Sequence, residues 1–314
     1  MRAITRLTVA TALAAAFALA ACGGKGSAVA AAPRRPKILG IAFIHLRVRS
    51  AAAAQKIFHQ ELGLDRAFTL RGPAGPVIYY KVNEDQYLEL TPGWRGGAQP
   101  RFMAIGFRTD DARAMRAYLA VKGFAPGPLM WRSDGNLSFT MKDPEGHTVV
   151  FEQFFSGSRT GRLRGQLLSP RRLSRWIIHA GFVVQSTPQE DRLYRRALGF
   201  HPMWRGGMRP GVWDWVDRRT SEGPDWIEYM LQDGIHPSLR TRGVADHFSL
   251  GVLHMQQAYK ELVARGWHPQ QKPQIGKDGK WQLNLYTVAG TRIELMGPKP
   301  VRKPCCAPML PGGW

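Results

Sequence analysis

Cysteine is nearly absent, with only Cys22, Cys305 and Cys306 in 314 residues. No disulfide framework can therefore carry the fold, and a hydrophobic core must. Acidic residues are also scarce, 23 against 44 lysines and arginines, for a formal net charge of +21. Long apolar runs are missing except at the very start, where Leu7 to Ala21 is Ala-rich and too short to cross a bilayer as a helix. What is present is 44% apolar residues over a length that suits two domains of ordinary size.

Arg2 and Arg6 stand ahead of that apolar run, in the pattern of an export signal. The run ends Leu19-Ala20-Ala21-Cys22-Gly23, which resembles the lipobox of bacterial lipoproteins. The resemblance implies removal of residues 1–21, lipidation of Cys22, a flexible tether over residues 22–37, and a lipid anchor in the cell envelope. Gly23 replaces the aspartate often used for inner-membrane retention, which implies the periplasmic face of the outer membrane. Loss of Arg2 and Arg6 takes the side-chain charge from +21 to +19.

Such a field can hold a protein against anionic lipid or draw in acidic ligands, although a solvated Arg-rich surface explains it equally well. Nucleic acid is excluded as a partner. The arginines are scattered, no nucleic-acid-reading motif occurs, and export would separate the chain from the genome. Cys305 and Cys306 are adjacent in a tail rich in proline and glycine. Neighbouring cysteines bridge each other only with strain, so free thiols or an intermolecular bond are expected.

Four segments repeat one order of signals: an apolar strand, a helix stopped by glycine, then further strands ending in an apolar one. The opening strands are expected at Ile41 to Val48, Met103 to Thr109, Ile177 to Val184 and His247 to Leu253. The closing strands are expected at Tyr87 to Thr91, Thr148 to Phe154, Trp226 to Leu231 and Thr291 to Met296. Ser50 and Asp110 or Asp111 cap the first two helices. Thr187, with Pro188 and Glu190, forms a capping box for the third, and Gly63, Gly123, Gly199 and Gly266 end all four. The domains are then 38–156 and 175–297, with a Gly-, Ser- and Arg-rich linker over 157–174 and an irregular tail over 298–314.

Side chains alternate between the two faces of a strand. In the third unit Ile178, Ala180, Phe182 and Val184 share one face, leaving His179 on the other. In the fourth, Phe248, Leu250 and Val252 leave His247 opposite them. Glu228 opposes Ile227 and Tyr229, and Glu294 opposes Ile293 and Leu295. Two histidines and two glutamates thus stand at matched repeat positions. Carboxylates converging on a sheet face need a cation or each other, and imidazole with carboxylate suits a single divalent ion such as Fe, Zn, Ni or Mn.

The stretches around His179, Glu228, His247 and Glu294, with the turn Asp143-Pro144-Glu145-Gly146-His147, resemble the vicinal oxygen chelate superfamily. That superfamily includes glyoxalase I, extradiol dioxygenases and bleomycin-resistance proteins. The resemblance runs from Ile38 to Gly297. It implies an α+β fold of four βαβββ units paired into two cup-shaped domains, and the metal ligands His179, Glu228, His247 and Glu294. In the first domain Phe43, Ala104 and Val150 replace three ligands and only Glu89 remains, so that site is expected to be lost. His45 and Glu152 leave a shifted site with Glu89 open, although core packing or a substrate wall is the expected role. His147 is expected at the surface.

The resemblance implies a small substrate with two adjacent oxygens, and isomerase, lyase or ring-cleaving dioxygenase chemistry. A glyoxalase-like site makes Glu228 or Glu294 a catalytic base. A dioxygenase-like one takes His179, His247 and Glu294 as ligands, with Tyr286 a weak candidate acid because the expected histidine and proline are missing around it. His201, His236 and His254 are further candidate proton donors, and Trp204, Trp213, Trp215 and Trp226 can line a ligand pocket or simply a core. The alternatives are a non-catalytic protein that sequesters an aromatic ligand, and an envelope scaffold.

Overall fold

In the computed structural model, the described residues are 33–73, 75–97, 101–209, 211–232 and 245–310. Cys22, the signal segment and His236 lie outside them. Residues from Pro33 onward form one compact unit.

Two eight-stranded sheets make up the fold. The first contains β1 (Ile38–Val48), β2 (Asp65–Gly72), β3 (Gly75–Lys81), β4 (Tyr87–Pro92), β5 (Phe102–Thr109), β6 (Met130–Trp131), β7 (Leu137–Lys142) and β8 (Thr148–Gln153). The second contains β9 (Ile177–Val184), β10 (His201–Gly206), β11 (Trp215–Arg219), β12 (Trp226–Leu231), β13 (His247–Gly251), β14 (Gln274–Ile275), β15 (Trp281–Tyr286) and β16 (Arg292–Met296). Their spatial orders, β2-β3-β4-β1-β5-β8-β7-β6 and β10-β11-β12-β9-β13-β16-β15-β14, are the same order displaced by eight strands. Within each unit the opening strand runs parallel to the closing one, and the two opening strands meet antiparallel at the sheet centre. Each sheet is a curled half-barrel with a helix-packed outer face and a concave inner face.

Each unit's helix crosses between its first and second strands. Helix α1 (Ala51–Ala54), capped by Ser50 Oγ on Ala53 N at 3.1 Å, widens into a π-helical segment, Gln55–Glu61. Helix α2 (Ala112–Val121) is capped by Asp111. A short helix, α3 (Arg159–Arg162), lies in the linker. Helix α4 (Thr187–Glu190), followed by the π-helical segment Arg192–Ala197, is capped by Ser186 and not by Thr187. The capping-box reading starts one residue late, because serine and threonine stand side by side and both suit the cap chemically. Helix α5 is Met255–Ala264. Gly63, Gly123, Gly199 and Gly266 follow their helices at φ between +74° and +90°, the left-handed turn that glycine adopts without a Cβ penalty.

One apolar core runs through both sheets, from Ile41 and Phe107 to Phe182 and Leu295. Polar ties reinforce it. Asp225 Oδ2 accepts from Ile41 N at 2.8 Å, and the Gln86 side chain bonds both the N–H and the carbonyl of Ile177. Glu145, in the Asp-Pro-Glu-Gly turn, accepts from Gln185 N and Ser186 N at the start of α4. The linker is laid down along the first sheet. Lys81, fully buried, donates to the carbonyls of Leu163 and Gln166, and Glu84 takes Gly165 N at 2.7 Å.

Two expectations change at this level. Ile178 does not join Ala180 and Phe182, because Ser249 pairs with His179 while Leu250 pairs with Ile177. The bulge this leaves at Ile178 turns it to the concave face, where it packs with Met203, Trp226 and Met296. Cys305 and Cys306 are bonded to each other rather than free.

Candidate metal centre

His179, Glu228, His247 and Glu294 come together on the concave face of the second sheet. The strands that carry them are neighbours, β12, β9, β13 and β16, so four residues from positions 179 to 294 meet within one cup. His179 Nε2 lies 3.1 Å from His247 Nε2 and 3.2 Å from Glu294 Oε2. His247 Nε2 lies 3.6 Å from Glu228 Oε2 and 3.7 Å from Glu294 Oε2. His179, Glu228 and His247 offer ligand atoms all within 4.8 Å of one another, and Glu294 sits closer still to His179. Either carboxyl group can complete a three-ligand set with the two imidazoles.

The electrostatics separate the two carboxyl groups. Burial pushes Glu228 well above the usual carboxylate range, and Asp217 and Glu294 push it further. Burial also acts on Glu294, but hydrogen bonds from His179 and His247 outweigh it and hold Glu294 well below that range. Burial lowers both histidines, and the nearby Arg292 guanidinium helps bring His247 to about 3. Two neutral imidazoles and one carboxylate are the protonation states a divalent ion needs. His247 Nδ1 stands 3.0 Å from Ala245 O, an outer contact that orients the ring with Nε2 facing the cluster. The residues present therefore fit an ion.

Several neighbours escape the sequence reading. Asp217 lies across from Glu228, and Asn284 across from Glu294, so both share the concave face. Burial raises Asp217 to about 8. Lys280 is buried, 4.1 Å above the Trp226 ring and 3.7 Å from Asp278, and Trp226 stacks on His179 with centroids 5.2 Å apart. Arg292 Nη2 stands 2.5 Å from His247 Nδ1 and 2.8 Å from its Nε2, so its positive charge lies beside the cluster and opposes a cation there. Pairing of β11 and β15 with the strands of the candidate ligands Glu228 and Glu294 is what brings Asp217 and Asn284 to this face. Nothing in the linear pattern marks Lys280, which follows a turn.

The first cup is built differently. Phe43, Ala104 and Val150 join a buried apolar cluster with Tyr79 and Tyr87. The Arg132 guanidinium bonds Glu89, lies 3.4 Å from Glu152 and 3.5 Å from Asp134, and covers the Phe43 ring. It supplies the positive charge those carboxylates require, and they hold its own pKa well above the ordinary value against the pull of burial. His45 Nε2 turns instead to Thr91 Oγ1 at 2.8 Å.

His147 is buried, not at the surface, and with Asp143 and Glu190 forms a second close group. Asp143 there already accepts from the backbone N–H groups of Glu145 and His147, from His147 Nδ1 and from the Tyr194 hydroxyl. That node is a structural tie between the turn and α4. Tyr286 faces the same way as Arg292 but is 41% exposed at the rim and forms no hydrogen bond among the described residues. His201 is exposed at the start of β10, and His254 precedes α5.

Paired βαβββ units curled into two cups, with imidazole and carboxylate groups on first and last strands, define the vicinal oxygen chelate fold, and this chain has it. Solved structures that resemble the chain include dioxygenases. An extradiol ring-cleaving dioxygenase from Brevibacterium fuscum shares 18% identity at a TM-score of 0.62, covering 88% of this chain and 76% of that one. Homoprotocatechuate 2,3-dioxygenase from Arthrobacter globiformis shares 19% at 0.61, covering 84% and 80%. The 2,3-dioxygenase LapB from Pseudomonas sp. KL28 shares 13% at 0.64, covering 86% and 97%. No family model and no curated protein matches the sequence. At these identities the likeness is one of fold.

Proposed function

We propose that the protein is a divalent-metal-dependent enzyme acting on a small aromatic substrate with vicinal oxygens, by ring-cleaving dioxygenase chemistry in the second cup. The observation that carries this reading is the convergence of two imidazoles and a carboxyl group, with Glu294 Oε2 3.2 Å from His179 Nε2 and 3.7 Å from His247 Nε2, and Glu228 beside them. A divalent ion held by these groups supplies Lewis acidity toward two adjacent substrate oxygens. Trp226 positions His179 by stacking, and Glu228 Oε2 stands 3.6 Å from His247 Nε2. The dioxygenase architecture of the similar structures supports the same choice.

A second reading, isomerase or lyase chemistry with Glu228 as a fourth ligand or base, is favoured by that 3.6 Å approach. The non-catalytic alternative is binding of an aromatic ligand without turnover. We place the protein in the cell envelope, tethered through Cys22.

The test is dioxygen consumption by the full-length protein loaded with ferrous iron and given catechols. Uptake matched to ring-opened product, and lost in Glu294→Ala, is the expected result. Tight catechol binding with no uptake would leave the binding role.

A further inference from the structure

The edges of the second sheet are β10 and β14, and the chain after β16 runs from one edge to the other. It leaves Gly297 and lies on the turn between β14 and β15. Val301 N and Arg302 N reach Gly279 O at 2.9 and 3.2 Å, and Cys305 N reaches Lys277 O at 2.8 Å. Gly279 permits this approach, since a Cβ there would stand 2.1 Å from Arg302 O. The far end is held by Leu310 N on Met203 O of β10 at 2.8 Å. Between the anchors, both cysteine sulfurs lie against the Gly207 carbonyl just past β10, at 3.7 and 3.6 Å. Met309 packs against Ile178, Met203, Trp226 and Met296, and Trp226 is the ring that stacks on His179.

We propose that residues 298–310 are a strap that closes the mouth of the second cup, and that the Cys305–Cys306 bond is its redox-sensitive joint. Four prolines, Pro298, Pro300, Pro304 and Pro308, restrict the strap so that little freedom is lost when it docks. Cys306 sits at φ +71°, a backbone state that a non-glycine residue keeps only when its surroundings impose it. The covalent ring between neighbouring residues is that constraint. Reduction by a dithiol breaks the S–S bond, forms two thiols and converts the dithiol to its disulfide, with two electrons and two protons transferred. The turn is then free to relax, and the contacts on Lys277 and Gly207 loosen with it. That closure gates a catalytic site rests on the proposed function; the closure itself does not.

Backbone hydrogen exchange on the full chain, without metal, tests the strap alone. Expected is strong protection of the Val301, Arg302, Cys305 and Leu310 N–H groups, which donate to Gly279 O, Lys277 O and Met203 O, lost by tenfold or more on treatment with dithiothreitol and in Cys305→Ser/Cys306→Ser. The variant Met309→Asp, with the disulfide intact, loses protection at the Leu310 N–H alone. Unchanged protection after complete reduction would overturn the joint, and so would two titratable thiols before any reductant is added. Protection at the Leu310 N–H unaffected by Met309→Asp would overturn the strap. None of these readouts depends on metal binding, so a failed metal reading leaves them standing.

Discussion

At the scale of single residues, the two cups contrast in how buried carboxylates find positive charge. In the first, Arg132 provides it among Glu89, Asp134 and Glu152. Removing the guanidinium leaves three acidic groups facing one another, so Arg132→Ala should lower stability by about 3–5 kcal/mol, measured by urea unfolding. In the second cup Arg292 stands close to the ligands without filling the site, and its charge opposes a cation there. Arg292→Gln should therefore tighten metal binding by about tenfold or more in a chelator competition assay. The four ligand candidates were legible from alternation, His179 through Ala180, Phe182 and Val184 on the regular side of the bulge at Ile178. Arg132 was not, since it sits beyond a two-residue strand where no period exists to read.

At the scale of elements, the eight opening and closing strands fall within a few residues of their expected limits, because apolar alternation and glycine stops mark them directly. The π-helical widening after α1 and α4 was not legible, since it depends on how each helix settles on its sheet. The bulge at Ile178 was equally hidden: an extra residue in one strand is defined only by its partner. Close approach across strands also makes a prediction. A Cβ on Gly181 would lie 2.2 Å from His247 Cε1, so Gly181→Ala should displace that ring and weaken metal binding while leaving the fold's circular dichroism intact. Unaltered affinity would mean that His247 is not held against β9.

At the scale of the whole molecule, the two sheets share one core and are joined by buried polar groups, of which Asp225 is the most exacting. Burial raises its pKa from 3.8 to about 8. In the unfolded chain the group ionises near 3.8, so between about pH 4 and 8 the folded state alone retains the proton. Stability contributed by this group therefore falls as pH rises through that window, and is level below and above it. Asp225→Asn should flatten the dependence of the urea midpoint on pH between 5 and 9. The repeat and the cups could be read from the sequence, whereas this junction could not, because its partners lie far apart in the chain.

The central claim is that His179, His247 and Glu294 hold one divalent ion while Glu228 stands beside it outside the ligand set. Elemental mass spectrometry of the full-length protein, after reconstitution and desalting, tests it most directly. About one ion per chain is expected, retained in Glu228→Gln and lost in His247→Ala and Glu294→Ala. Loss of the ion in Glu228→Gln would assign that carboxyl to the ligand set and favour the isomerase or lyase reading, while absence of any ion in the unaltered protein would contradict the account.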